Sequence, residues 1–406
     1  MKKIFKKIIF YLIAFDFLRS IFIELFKKIS FSTDRFLNIL NKSNNMGLNN
    51  ELDLHKIKKL TENFIESLCV IKNNQIIGYK HSHSTKKTNL YALVSVLLIK
   101  HLLRIDKNAD KELDILKNYQ SQDGLFRDKN IDCEEANYSD DWGWKHLTLH
   151  ALMALDLYSV KSKYPIKIGL ELNTDNIFQK LSGYDWNAKL PWTSNAVQNL
   201  CVFLQYNRKY HDQTDASNIL KKIEMFINTK QSKETGLFSD KFETFEELSN
   251  SVQSAYHFWL IYFYENYTIK HKEKIIDHVL STQNLLGGFG FKLNSSACED
   301  IDSIDILLRL SKQIDYRKKE IIECLNKSIR AILSNLNADG GWVFRRNESL
   351  KIVHKEMFSY KNQSNMFYTW FRLLGLCYAC HYSKDKMLNF NWNLEDKKIG
   401  HQFKSW

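Results

Sequence analysis

Residues 287–310 read GGFGFKLNSSACEDIDSIDILLRL, and this stretch decides the fold class. A turn of glycine and aromatic residues runs into an acidic segment, which then opens an apolar helix. Comparable turns recur along the chain at intervals of about 52 residues, and an apolar helix follows each of them. The glycines that mark the turns are Gly78, Gly124, Gly183, Gly236, Gly288 and Gly340. A repeat of this length indicates an array of helical hairpins.

Each repeat has two kinds of helix, a charged one before the turn and an apolar one after it. The apolar helices are predicted over 90–103, 144–158, 195–206, 252–265, 300–310 and 364–379. An apolar helix beside an amphipathic one predicts an inner ring enclosed by an outer ring. We therefore expect an all-α protein, an (α/α)6 toroid of six helical hairpins. Its inner helices all begin at the turns, so a central pocket should open at that end.

Two turns carry the pattern Gln-x-x-x-Gly-x-Phe, at residues 120–126 and 283–289. They resemble the turn repeat of triterpene cyclases. The segment DIDS at 300–303 resembles the Asp-x-Asp-Asp acid motif of squalene–hopene cyclases, with Ser303 in place of the last aspartate. Over roughly residues 50–382, the chain thus resembles the terpenoid cyclase and protein prenyltransferase α/α-toroid superfamily.

This resemblance implies a class II terpenoid cyclase, in which Asp302 protonates a linear isoprenoid. Asp300, Glu299 and Asp305 would be its partners, because neighbouring carboxylates raise one another's pKa. Neither a metal nor another cofactor is expected. The same acidic residues also suit an ordinary helix cap, which stabilises a helix by about 1 kcal/mol. That alternative stays open.

Aromatic residues make up 13% of the chain, and many lie at the turns or on the predicted inner helices. In a cyclase they would line the cavity and stabilise carbocations by cation–π contact, while Arg345 is a candidate partner for a diphosphate. The candidate substrate-binding residues are Trp142, Trp144, Trp186, Trp192, Tyr256, His257, Phe289, Trp342, Arg345, Tyr368 and Trp370.

Two other functions are compatible with the same residues. Sugars also stack on aromatic rings, and paired carboxylates perform glycosidic chemistry, so the alternative is a carbohydrate-active (α/α)6 enzyme in which Asp302 faces Asp140 or Asp141. A non-catalytic toroid that binds a lipid or a protein is the third hypothesis. A closed apolar cavity would favour the isoprenoid hypothesis, and an open cleft with two carboxylates would favour the carbohydrate one.

The N-terminal segment accounts for about half of the formal net charge of +12, because residues 1–50 hold nine Lys or Arg and three Asp or Glu. Apolar residues at helical spacing in residues 1–30 predict an amphipathic helix on a membrane surface. Charged residues within it argue against a spanning helix. The chain is thus expected to be cytoplasmic and peripherally membrane-associated, with an isoprenoid or lipid substrate and no nucleic-acid partner. The predicted domains are 1–45, the toroid at 46–385, and a C-terminal tail at 386–406.

Overall fold

The computed structural model describes residues 53–105, 109–128, 143–187, 189–351, 357–382, 390–401 and 403–404. The predicted N-terminal helix lies outside these residues, so the membrane-surface contact of residues 1–30 stays a prediction. The acidic residues of 129–142 also lie outside them. In the described ranges, every helix is too short or too polar to cross a bilayer.

Helices make up most of the described structure, and the few strands are short. In chain order the elements are α1 (Leu54–Leu68), β1 (Cys69–Lys72), β2 (Gln75–Tyr79), α2 (Leu90–Leu103), α3 (Ala109–Lys117), α4 (Trp144–Leu157), α5 (Lys167–Leu170), α6 (Ile177–Ser182), α7 (Leu190–Tyr210), α8 (Ala216–Lys230), α9 (Phe245–Glu265), α10 (Lys272–Ser281), α11 (Ala297–Gln313), α12 (Lys318–Leu333), β3 (Leu350–Lys351), β4 (Phe358–Ser359), α13 (Met366–Tyr382), β5 (Glu395–Asp396) and β6 (Phe403–Lys404). The strands pair as β1–β2, β3–β4 and β5–β6, of which the last is parallel.

The inner ring is built from the six apolar helices α2, α4, α7, α9, α11 and α13. Each packs against the next, and α13 packs back against α2, so the ring is closed. Every residue of α2 is buried, because this helix has neighbours on all sides. Helices α3, α8, α10 and α12 are amphipathic and bury one face only. The prediction of an all-α toroid is therefore confirmed.

Four turns have a similar backbone form, and three of the four share one clamp that joins consecutive hairpins. Their glycines, Gly124, Gly236, Gly287 and Gly340, all have a positive φ. In three of the turns a glutamine amide donates to the glycine carbonyl and also to a carbonyl of the next outer segment. The three sets are Gln120 with Gly124 and Tyr164, Gln231 with Gly236 and Lys270, and Gln283 with Gly287 and Cys324. The glutamines thus fix each turn to its neighbour.

The other marker glycines differ from this geometry. Gly78 lies in β2, because a β-hairpin connects α1 to α2. Gly183 ends α6 with an ordinary helical φ, since two short helices replace one outer helix in that hairpin. In the fifth turn the positive φ belongs to Gly287, one residue before the marker Gly288. The number of hairpins was correctly predicted, whereas a common turn geometry was not.

The turn glycines provide a first test of this fold. A Cβ at Gly340 would lie 2.0 Å from the Leu60 carbonyl oxygen, and the φ of +85° also disfavours a side chain. At Gly183 the φ is ordinary and the nearest atom would be 3.4 Å away. We expect Gly340→Ala to lower the free energy of unfolding by more than about 2 kcal/mol, and Gly183→Ala to change it by less than about 1 kcal/mol. Equal losses in urea unfolding would contradict this assignment.

Candidate active site

The acidic start of α11 is partly a helix cap. The Ser296 side chain accepts a hydrogen bond from the Glu299 backbone N–H, and the Glu299 carboxylate accepts one from the Ser296 backbone N–H. This reciprocal pair is a capping box. The Arg345 guanidinium also lies 2.9 Å from Glu299. Glu299 is therefore held by the cap and by an ion pair, which supports the alternative of an ordinary cap for this residue.

Asp300 anchors the fifth turn. Its carboxylate accepts hydrogen bonds from the Phe289 backbone N–H at 2.8 Å and from the Ser295 hydroxyl at 2.9 Å. It also forms a buried ion pair with Arg372 of α13. In the other three turns with a positive-φ glycine, the matching backbone N–H donates to a hydroxyl instead, on Thr148, Ser251 or Thr369. Asp300 thus occupies a structural position of the repeat.

Asp305 is paired within its own helix. The Arg309 guanidinium, one helical turn further on, donates to the Asp305 carboxylate, and both side chains are buried. The same guanidinium lies over the rings of Phe263 and Tyr378, at 5.1 and 5.8 Å from their centroids. Its charge therefore has both an anionic and an aromatic partner inside the protein.

Asp302 differs from these three neighbours. It is buried, and no Arg or Lys in the described part of the chain forms an ion pair with it. Burial raises the pKa of the Asp302 carboxyl well above its usual range, and the charges of Asp305, Glu299 and Asp300 raise it further. Burial and the neighbouring carboxylates thus both favour the protonated form of Asp302 over its ionised form.

Polar side chains from the inner helices meet at the centre of the ring, which we call the lumen. The Tyr91 hydroxyl lies 2.9 Å from Nδ1 of His146, and the rings of His146 and His150 are 4.4 Å apart. On the other side, the Ser194 hydroxyl lies 2.9 Å from Nδ1 of His257. Helices α2, α4, α7 and α9 therefore all contribute hydrogen-bonding groups to the interior.

The C-terminal segment adds a further histidine to this interior. Nδ1 of His401 is 2.5 Å from the Tyr256 hydroxyl, and its ring stacks on His150 at 6.2 Å. Burial raises the pKa of Tyr256, and the charges of Asp305 and Asp302 raise it further. We call the side chains Tyr91, His146, His150, Tyr256, His257 and His401 the lumen cluster.

The histidines of the lumen cluster are neutral at pH 7. Burial lowers the pKa of His150 and of His257 to about 4. It lowers the pKa of His146 and of His401 well below the usual value, and neighbouring histidines add to the effect. In the described ranges, no three His, Cys, Asp or Glu side chains are arranged to hold a metal ion. The cluster is thus an uncharged set of hydrogen-bonding groups.

A cleft of about 410 Å³ opens at the turn end, between the starts of α7 and α9, and we call it the rim cleft. Its wall combines aromatic rings with amide, hydroxyl and carboxylate groups, and the Ser194–His257 hydrogen bond joins the same two helices deeper in the toroid. The lining residues are Trp186, Asn187, Leu190, Pro191, Phe238, Ser239, Phe242, Glu247, Asn250 and Ser251.

Only some of the predicted substrate-binding residues lie in the lumen. Tyr256, His257 and Trp370 do, the last with its ring 5.5 Å from that of His150. Phe289 and Trp342 are fully buried within their own turns, where both form backbone bridges.

The remaining predicted residues lie elsewhere. Trp186 lines the rim cleft, and Trp192 is 54% exposed. Trp144 is half-buried at the first residue of α4. Tyr368 packs on Phe344 at 4.5 Å. Arg345 pairs with Glu299, so its charge is already matched by the helix cap. Trp142 lies outside the described residues, as do Asp140 and Asp141.

Sequence reasoning missed three residues that shape the site. Arg372 stands in the middle of an apolar helix, and an isolated charge there was a usable signal, because buried charges are paired. Tyr91 opens its helix without any distinguishing pattern. His401 lies in a segment whose sequence has no periodicity, so only the folded chain shows that it enters the lumen.

Comparison with known proteins gives few matches to this chain. No protein-family profile matches the sequence, and no curated protein is similar to it. Two solved structures are similar in shape, each described as a possible member of the GH105 family, from Salmonella enterica serovar Paratyphi A and from Klebsiella pneumoniae. They are 11% and 10% identical, with a TM-score of 0.38 each, over 82% of this chain and 94% of theirs. The closed ring and the buried acid define an (α/α)6 toroid with a candidate acid site.

Two matched substitutions on α11 separate the structural carboxylate from the free one. Asp300→Asn leaves the buried Arg372 charge without its anion, and we expect a loss of about 3–5 kcal/mol in the free energy of unfolding. Asp302→Asn removes no cation partner. Because the folded protein holds the Asp302 proton while the unfolded chain loses it above about pH 4, that variant should gain stability relative to wild type as pH rises, by about 1.4 kcal/mol per pH unit.

Urea unfolding of both variants between pH 4 and 8 measures these differences. A pH-independent difference between Asp302→Asn and wild type would show that Asp302 is ionised in the folded protein. A small loss for Asp300→Asn would show that its ion pair does not hold the turn.

The lumen cluster predicts a second pH dependence. Since the pKa of His150 and of His257 falls to about 4 on folding, the unfolded chain takes up protons below its pKa of about 6.5 that the folded protein does not. The resulting stability is complete above pH 6.5 and is lost as pH falls toward 4. His257→Gln should reduce the wild-type slope by about 1.4 kcal/mol per pH unit. Identical slopes would refute the assignment.

Proposed function

We propose that this protein is a carbohydrate-active (α/α)6 enzyme in which protonated Asp302 is the general acid. The observation that carries the proposal is the polar character of the ring centre, where hydrogen-bonding side chains of the inner helices meet. Imidazole, phenol and hydroxyl groups from four inner helices face the interior. Sugars present many hydroxyl groups, which imidazole, phenol and hydroxyl side chains can pair.

One atom of the lumen cluster supports a polar ligand directly. Nε2 of His150 is buried and has no hydrogen-bond partner among the described residues. Buried polar groups in folded proteins are nearly always paired, so this nitrogen can take a hydrogen bond from a ligand hydroxyl or from water. A substrate hydroxyl would satisfy it.

The chemistry of Asp302 follows from its protonated state. Its O–H donates a proton to the glycosidic oxygen as the bond from that oxygen to the anomeric carbon breaks. Water adds to the anomeric carbon and gives up a proton to a base. The sequence-based expectation that Asp140 or Asp141 is this second carboxyl stays a prediction. The neutral histidines orient the sugar without adding charge beside the acid.

The proposed entry for such a substrate is the rim cleft. Trp186, Phe238 and Phe242 offer ring faces, and Asn187 and Asn250 offer amide groups, in one concave surface at the turn end. Aromatic faces beside hydrogen-bonding side chains suit the apolar faces and hydroxyl edges of a sugar ring. The side chains that line the rim cleft thus suit the same kind of ligand as the polar side chains at the ring centre.

Isoprenoid cyclisation is the second candidate, and one observation favours it. Trp370, Phe367 and Phe371 pack together on the lumen side of α13, where they can face a carbocation. The same neutral Asp302 would then protonate an alkene. The substrate class is therefore decided by which molecules are turned over, and the acid is common to both candidates.

The test is incubation of the full-length protein with a panel of aryl glycosides and oligosaccharides, beside linear prenyl diphosphates and squalene. We expect turnover of at least one glycoside, and Asp302→Asn should reduce its rate by 100-fold or more while the fold is retained, since general acid catalysis contributes about that much. Asp110→Asn, at an exposed carboxylate of α3, is the matched control and should retain the wild-type rate.

The outcomes distinguish the candidates. Turnover of polyprenes alone would replace the carbohydrate proposal with the cyclase one. Turnover of glycosides that is unaffected by Asp302→Asn would remove Asp302 from the acid role. Absence of turnover for both substrate classes would leave the third hypothesis, a non-catalytic toroid, as the one that stands.

A further inference from the structure

The aromatic wall of the rim cleft is held in place by neighbouring rings. The Trp186 ring stacks on Phe258 of α9, with centroids 5.7 Å apart and an interplanar angle of 12°. The Phe238 ring packs against the same Phe258 at 4.6 Å, and the Phe242 ring packs against His278 of α10 at 5.6 Å. Because these rings are already packed, a ligand that binds on them has few side chains to order, which lowers the entropic cost of binding.

Three side chains of the rim cleft have hydrogen-bonding atoms that are free within the described part of the chain. The side-chain amides of Asn187 and Asn250 form no hydrogen bond there. The Glu247 carboxylate accepts the Glu243 backbone N–H at Oε2, at 2.8 Å, whereas its Oε1 has no such bond. The cleft therefore offers two amides, which donate and accept, and one carboxylate oxygen, which only accepts.

Glu247 sets the charge inside the rim cleft. Among the described residues that line the cleft, it has the only ionisable side chain, and it is exposed. Lys241 and Lys230 lie beside lining residues, but the first pairs with Glu243 at 3.3 Å and the second lies over the ring of Phe226 at 5.3 Å. A carboxylate in this position favours ligands that donate hydroxyl hydrogen bonds and disfavours a second anion, because like charges repel.

The rim cleft adjoins the acidic segment of α11. The Ser249 hydroxyl of α9 donates to the Glu299 carboxylate at 3.4 Å. The next residue of α9, Asn250, lines the cleft. Helix α9 thus joins the cleft directly to the start of the helix that carries Asp302.

We propose that the rim cleft is a binding subsite for uncharged saccharides and that Glu247 determines this specificity. The Glu247 carboxylate accepts hydrogen bonds from sugar hydroxyls, and the two asparagine amides pair with further hydroxyls. The apolar face of the sugar ring packs on the aromatic wall. A uronate or a sulfated sugar brings an anion that Glu247 repels. The inference rests on the proposed function, because it names the class of saccharide, but it requires binding only and no turnover.

Binding of the full-length protein to an array of neutral and uronate oligosaccharides tests the specificity. Titration calorimetry then compares matched pairs, namely mannotriose with trimannuronate and galactotriose with trigalacturonate. We expect the protein to bind at least one neutral oligosaccharide, and to bind its uronate counterpart about 10-fold more weakly or less. Absence of binding to every neutral oligosaccharide, or equal affinity for the two members of a pair, would overturn the proposal.

Two neighbouring glutamates provide matched variants. Glu246 and Glu247 are both exposed in the first turn of α9, but only Glu247 lines the cleft. Glu247→Gln keeps an oxygen that can accept the Glu243 N–H, and it should reduce the preference for the neutral sugar by about 10-fold. Glu246→Gln should leave that preference unchanged. Equal effects of the two substitutions would overturn the role of Glu247.

Two further variants test the location of the subsite. Phe242→Ala removes a ring of the aromatic wall and should weaken binding of the neutral sugar by about 10-fold. Asn250→Ala removes an amide that has no partner in the described structure, and it should weaken binding without disturbing the ring packing. Unchanged affinity in both variants would overturn the subsite.

The proposed function and the subsite fail in different ways. Binding of a neutral saccharide without turnover of any glycoside would refute the proposed function and leave the subsite in place. Turnover of a neutral glycoside with a KM that neither Phe242→Ala nor Asn250→Ala changes would refute the subsite alone.

Discussion

The buried ion pair between Asp300 and Arg372 fixes the start of α11, and the geometry of the candidate site depends on it. Arg372 also donates to the carbonyl oxygens of Ser295 at 2.9 Å and Phe344 at 2.7 Å. One guanidinium thus joins the loop before α11, the sixth turn and α13. In three other turns a neutral hydroxyl accepts the same turn hydrogen bond. A carboxylate at this position is tolerated only because a cation is buried with it.

This arrangement explains why Asp302 is left as a neutral acid. Successive residues of a helix are 100° apart, so Asp302 points about 200° away from Asp300, out of reach of Arg372. Asp305 shares the side of Asp302 but has its own arginine. The positive charges of this region are therefore matched by other anions, and burial acts on Asp302 without compensation. Three charged pairs and one neutral acid are the stable outcome for this acidic segment.

The fold could be predicted from the sequence because several independent features mark the repeat. Glycine turns, their period and the alternation of apolar and amphipathic helices all depend on local residues, so six hairpins and the inner helices were predicted closely. The prediction for 90–103 matches α2 residue for residue. The prediction failed at residues 245–251, because the first two turns of α9 are polar and were not recognised as part of an apolar helix.

The candidate site was harder to predict, because its residues come from different hairpins and lie together only once the ring has closed. Asp302 and its acidic neighbours are adjacent in sequence, and so they were found together. Their cations, Arg345 and Arg372, come from the next hairpin, and His401 comes from a tail with no pattern. Spacing in a sequence predicts which side chains share a helix face, but pairing between helices depends on the packing that the closed ring imposes.

The two ends of the toroid differ in a way that suits a polar substrate. At the turn end the inner helices present backbone N–H groups and partial positive charge, and the clamped turns are rigid. Carbonyl groups gather at the other end, where the Lys398 ammonium satisfies those of α4. A cation thus stabilises the end that carries partial negative charge, whereas the cleft lies at the end rich in donors. The histidines between the two ends are neutral, so the hydrogen-bonding groups at the ring centre are held together without net charge, which strengthens their hydrogen bonds in a medium of low dielectric constant.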